Sequence, residues 1–173
     1  MTSPLGARKG EEVEAAEEFQ WLFAHEYAAI VWSANVVLHD YSRAEEIAQE
    51  AFVRLLQNWT KVSRYDRPGA WVRRVAIRLA TRAAKRESRL VSTDRAWPAI
   101  EDAPPVDLDL MTAIRQLSPK QRAAVALYYI EDMTAAEIAE VLDCAVATVS
   151  VHLHRARTRL AELLGEEVDS HAT

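Results

Sequence analysis

The chain has 173 residues, half of them hydrophobic, with 4 glycines, one cysteine and a net charge of −5. That length holds one domain or two small ones; the apolar content excludes disorder throughout, and scarce glycine beside abundant Ala, Leu, Arg and Glu favours helix over a turn-rich β fold. The lone Cys144 excludes an intramolecular disulfide framework, no metal or cofactor is expected, and the absence of a membrane-length apolar run or a signal-peptide core points to a cytoplasmic chain without membrane insertion.

Residues 1–12 are polar and read as a disordered tail. A helical region follows to about Asp40, with Phe19, Leu22, Phe23, Tyr27, Ile30, Val31 and Ala34 at helical spacing. Ser42, with Glu45 three residues on, has the pattern of a capping box for a second helix, whose apolar stripe is Ala48, Phe52, Leu55, Leu56 and Trp59. Arg67-Pro68-Gly69 interrupts the chain, and a third helix is expected over 70–87 with Val72, Val75, Ala76, Leu79 and Ala83 inward. Pro98, Pro104, Pro105 and several acids then mark a linker over 89–107. Four more helices are expected at 108–116, 119–130, 134–142 and 146–164, with caps at Ser118 and Thr134 and a tail from 165. The fold class is all-α: two small helical domains, 13–88 and 108–164, on a flexible tether.

The charge is unevenly spread. Residues 1–60 carry 4 bases and 10 acids, whereas 61–90 carry 10 bases against Asp66 and Glu87 alone. Arg74, Arg78, Arg82 and Arg86 form an i, i+4 stripe. Like charges at that spacing are destabilising, so the stripe calls for a compensating partner, and phosphate fits. A solvated face is the plainer reading, but such a face normally mixes signs. On the second helix, Glu45, Glu46, Gln49, Glu50 and Phe52 make an acidic and apolar edge that is either a solvated face or a surface for docking a protein.

In the second half, Thr134–Leu142 and Val146–Leu164 are two helices with a short turn between them. Ala135 and Ala139 are small where the helices cross, and Ile138, Leu142, Val149 and Leu153 are apolar anchors: the pattern of a helix-turn-helix or of an ordinary helical hairpin. At about 100° per residue, Val151, His154, Arg155 and Thr158 face outward, a mixture suited to base edges and phosphates in a major groove. No HExxH, GxSxG or phosphate-cradling glycine loop occurs, and His152 and His154 point in different directions, so no catalysis is expected.

These pieces in this order resemble the extracytoplasmic-function sigma factors of the sigma-70 family, over residues 15–164. Ala44-Glu-Glu-Ile-Ala-Gln-Glu-Ala-Phe-Val-Arg-Leu-Leu56 is similar to the family's AEDLvQEvFlrlw segment, Pro68-Gly-Ala-Trp-Val-Arg-Arg-Val-Ala76 to its PraWLyrvA motif, and Leu117-Ser-Pro-Lys-Gln-Arg122 with the helix-turn-helix to its second domain. The resemblance implies a transcription initiation subunit. Glu45, Glu46, Gln49, Glu50 and Phe52 would dock on RNA polymerase core, with β′ and β as partners. Arg64, Arg67, Arg74, Arg78, Arg82 and Arg86 would meet the −10 element, and Thr148, Val151, His152, Arg155 and Arg157 the −35 element. Regulation by an anti-sigma factor is admitted. The chain departs from the pattern at Arg78, where the family commonly has Asn, and at Ala145, which replaces a Ser cap at a cost of roughly 1 kcal/mol. It departs again at Asp143, which replaces the turn glycine. A stand-alone helix-turn-helix regulator is the competing reading; such a protein needs neither a core-docking helix nor a basic stripe ahead of the linker.

Overall fold

The computed structural model describes residues 4–87 and 107–165, with side chains from residue 13 onward. The linker expected over 89–107 therefore lies, up to Val106, outside the described residues, as does the tail beyond Gly165. The first half comprises α1 (Pro4–Leu38), α2 (Tyr41–Gln57), the short α3 (Trp59–Val62) and α4 (Pro68–Glu87). The second comprises α5 (Leu108–Arg115), α6 (Pro119–Val125) running on into a π-helical turn (Ala126–Ile130), α7 (Ala135–Leu142) and α8 (Val146–Leu164).

Helix α1 starts earlier than expected, with Pro4 at the first position, where a missing N–H costs nothing. Its two ends differ. Toward the N-terminus one face packs, through Phe19, Phe23 and Tyr27, onto Phe52 of α2, with Phe23 and Phe52 ring centroids 4.8 Å apart. From Ile30 to Leu38 every residue is buried except the half-buried Trp32. A helix buried on all sides needs neighbours on all sides, and here α2, α4, α6 and the π-turn all pack against α1.

Asp40, not Ser42, caps α2: its backbone is extended (φ −143°, ψ 106°) and its carboxylate accepts the Arg43 N–H. The cause is upstream. His39 takes a left-handed φ of 55°, which ends α1 abruptly and leaves Asp40 at the cap position two residues before Ser42 could serve. The capping boxes of α6 (Ser118 with Gln121) and α7 (Thr134 with Glu137) form as their sequences predict. Asp107 caps α5, while Ala145 provides α8 with no side-chain cap.

The two halves share one continuous apolar core. Arg122, near the start of α6, ties them: its Nε donates to the Val37 carbonyl at the end of α1 (2.8 Å), and its Nη1 donates to the Arg115 and Leu117 carbonyls (3.2 and 3.1 Å). Burial, and next the charge of Arg115, pull its pKa down to about 10. His39 lies in the same junction with neither ring nitrogen hydrogen-bonded, and burial first, then the charges of Arg122 and Arg115, lower its pKa from 6.5 to about 3. The unfolded chain therefore takes up a proton as pH falls through 6.5, whereas the folded chain refuses it until about 3, so folding loses stability across that window. His39→Asn, which tolerates a left-handed φ, should flatten the dependence of urea-unfolding free energy on pH between 6.5 and about 5, above the main carboxylate range. An unchanged slope would show that His39 is protonated in the folded state.

Candidate nucleic-acid interface

Helix α4 carries its bases on the face turned away from Val72, Ala76, Ile77, Ala80 and Ala83, which are buried. Its upper part does not face open solvent. Arg74 lies beside two carboxylates of α7, Glu137 at 3.8 Å and Glu140 at 3.5 Å. Arg78 donates Nε to the Val141 carbonyl (2.9 Å) and Nη2 to that of Glu140, so a guanidinium sits on the carbonyl end of α7. Cations are favoured there by the helix dipole. Arg73 bridges Glu26 on α1 and Glu131 beyond the π-turn (2.5 and 2.8 Å), and Ser33 donates its hydroxyl to the other oxygen of Glu131, whose side chain is only 2% exposed. A Cβ added at Gly69 would stand 2.8 Å from Glu26 Oε1, so the first turn of α4 is seated on the carboxylate that Arg73 holds. An opposite charge for the like-charged stripe is thus supplied within the chain for Arg74, whereas Arg78 meets only carbonyl oxygens. Arg64, Arg67, Arg82 and Arg86 are exposed, as is Arg78 despite its two carbonyl contacts.

The helix-turn-helix forms as expected. Asp143 occupies the left-handed region (φ 52°, ψ 58°) that ends α7, and Val149, Leu153 and Ala156 of α8 are buried against the domain. Ser150, Val151, His154 and Arg155 are exposed, Val151 to 45%. Thr148 is half-buried in the first turn. Two of the expected contact residues are placed differently. His152 is half-buried with Nε2 unpartnered, and burial, then Lys120 and Arg155, lower its pKa, which favours the neutral ring. Arg157 lies about 120° round the helix from Val151; it donates to the Tyr129 hydroxyl (2.8 Å) and rests on the rings of Tyr128 and Tyr129, bracing the π-turn.

On α2 the exposed stripe is Glu46, Gln49, Glu50, Val53, Leu56 and Gln57, with Glu45 half-buried at its edge. Phe52 does not belong to it. It is 3% exposed, enclosed by the α1 aromatics, and the apolar part of this face is instead Val53 (53% exposed) and Leu56 (59%).

Comparison with known proteins decides between the two sequence readings. The family model described as sigma-70 region 2 matches residues 22–90, and that described as sigma-70 region 4 matches 107–160. The RNA polymerase sigma-E factor of Streptomyces avermitilis is 32% identical over 163 residues, covering 90% of each chain. The extracytoplasmic-function (ECF) sigma factor SigW of Bacillus subtilis is 30% identical over 151 residues, covering 74% of this chain and 79% of its own. The chain belongs to the ECF sigma factors. The sigma factor RpoE of Bartonella quintana, solved with the anti-sigma factor NepR, shares the fold with a TM-score of 0.69 at 22% identity, over 88% of this chain and 99% of its own.

In this sigma factor α1–α4 form the region 2 domain and α5–α8 the region 4 domain, and the α4 bases face the α7 acids across the boundary. Sequence reasoning missed Glu131, Ser33, Glu26 and Arg122 as the residues that join the domains. One signal was available: Glu137 and Glu140 lie three residues apart on one side of α7, and both stand beside Arg74. No helix among the described residues is long and apolar enough to cross a membrane.

Proposed function

We propose that this sigma factor docks on RNA polymerase core through the exposed α2 face, with Glu46, Gln49, Glu50, Val53 and Leu56 as its contacts. The −10 element then meets the α4 side of region 2 through Arg64, Arg67, Arg82 and Arg86, joined by Arg74 and Arg78 once α7 withdraws. The −35 element is read by the first turns of α8. The factor performs no catalysis itself, acts in the cytoplasm, and is open to control by an anti-sigma partner, as the complex of its structural relative with NepR suggests. The observation that carries the reading is the recognition helix α8, with Val151 and Arg155 exposed side by side, in the same chain as the basic α4. Run-off transcription with purified core polymerase tests it: transcripts should start at a discrete set of promoters only when the factor is added, and core that initiates nowhere new would refute it.

Within α8 the roles divide. Val151 suits a thymine methyl, and Arg155, one turn on, suits a phosphate. Val151→Ser should relax preference at one −35 base pair by at most roughly 1–3 kcal/mol, whereas Arg155→Ala should weaken all promoters alike. Competition over a library randomised across −35 separates them; a single-base shift with Arg155→Ala and none with Val151→Ser would reverse the assignment.

A further inference from the structure

Where α4 meets the corner of α6 and α7, the two domains enclose a cleft of about 500 Å3. Arg78, Thr81, Arg82 and Lys85 line it from α4, Lys120 from α6 and Asp143 from the turn after α7. Besides Lys85, which already has an interaction partner, three cations (Arg78, Arg82 and Lys120) line the cleft with the single carboxylate of Asp143. Arg82 and Lys120 have no ion-pair partner among the described residues, and Arg78 places its donors on carbonyl oxygens, which leave its net charge uncompensated. Lys120 belongs to the other domain, so it is the packing of the domains that brings its ammonium up to the α4 bases. Like charges gathered in a partly shielded cleft repel one another, and a multivalent anion turns that repulsion into attraction.

The dimensions narrow the choice of anion. A volume of about 500 Å3 suits a small molecule, not a duplex. From Arg78 to Arg82 the helix rises about 6 Å, and Lys120 lines the cleft from the facing domain, a spread that a chain of two or three phosphates can cover. No aromatic side chain lines the cleft to stack a base. We propose that this interdomain cleft binds a short polyphosphate chain, inorganic or carried by a nucleoside, and that the bound chain cross-links α4 to the second domain. Binding itself rests only on the packed arrangement. Its consequence, slower release of the α4 bases to the promoter, rests on the function proposed above.

The test is isothermal titration of the full chain with sodium tripolyphosphate at low salt, beside sulfate at matched ionic strength and ATP without magnesium. Tripolyphosphate should bind at one site and more tightly than sulfate, with ATP of similar affinity because the phosphate chain is what is recognised. Lys120→Gln and Arg82→Gln should each weaken binding by about tenfold, as loss of one charge-assisted contact implies. Lys61→Gln, the same charge loss on α3 outside the cleft, should change it less than about twofold. Circular dichroism checks that each variant keeps its helices, and a variant that loses them is replaced by Lys120→Met. Equal losses from Lys61→Gln and Lys120→Gln would reduce the effect to a diffuse basic field and overturn the site, as would tripolyphosphate binding no better than sulfate or ATP binding alone. None of these readouts needs polymerase or promoter, so a failed titration leaves the sigma-factor function standing, and failed run-off transcription leaves the cleft standing.

Discussion

Glu131→Ala should loosen the contact between the two domains and make the free protein a better DNA binder. The carboxylate is buried at the boundary, accepts from Ser33 and pairs with Arg73. Removing it leaves Arg73 with Glu26 alone and the Ser33 hydroxyl without its acceptor. Breaking a fully buried pair costs about 3–5 kcal/mol; Arg73 is still 31% exposed, which brings the expected loss to about 2 kcal/mol. If domain packing and promoter binding compete for Arg74 and Arg78, that loss raises the binding-competent fraction by up to about thirtyfold. Small-angle scattering should show a larger radius of gyration, and fluorescence anisotropy with a promoter duplex should show the gain in affinity. An expanded molecule that binds DNA no better would mean that the α4–α7 contacts do not hold the DNA surface in check. Glu131→Gln, which keeps an acceptor for Ser33 but not the charge, should give a smaller effect of the same sign.

Reversing Glu46 and Glu50 to Lys should abolish capture by polymerase core. Both side chains are well exposed, at 63% and 48%, and among the described residues pair with Arg43 and Arg54 on their own helix. Exposed pairs of that kind contribute at most about 1 kcal/mol each, and the like charges created at i, i+3 and i, i+4 cost a few tenths more. The helix and its buried Phe52 therefore survive, and circular dichroism should match the parent chain. Leu56→Asp, at the apolar end of the same stripe, should weaken capture without reversing a charge. Undiminished capture of both variants would remove α2 as the docking face.

Helix boundaries in the second half were legible almost to the residue because their causes are local. Ser118-Pro119, Thr134 with Glu137, and the left-handed Asp143 each act through groups within four residues of themselves. The start of α2 was not, since Asp40 and Ser42 are both good caps and the choice between them is made by the backbone of His39. Phe52 was misplaced for a related reason: periodicity assigns a residue to a face, but which face is covered depends on the aromatics of α1, nearly thirty residues upstream. The basic stripe posed the largest gap. Its need for an opposite charge could be read from spacing alone, whereas the identity of that charge is settled by carboxylates about sixty residues further on, and no local pattern encodes such an encounter. Likewise Arg157 reads as a base on a recognition helix until Tyr129 is found beside it.

The π-helical turn at Ala126–Ile130 closes through the Glu131 N–H onto the Ala126 carbonyl (3.1 Å), one residue wider than the α-helical bond. That extra residue works as a phase shifter. Without it, the chain leaving α6 would emerge rotated by about 100° and shortened by about 1.5 Å. Glu131 would swing off Ser33 and Arg73, and Tyr129 would carry its hydroxyl away from Arg157. A lineage that deleted a single residue here would keep both domains and every charged side chain of the clasp, yet lose the Glu131 clasp itself, leaving the shared apolar core and the Arg122 bond to Val37 to hold the domains together.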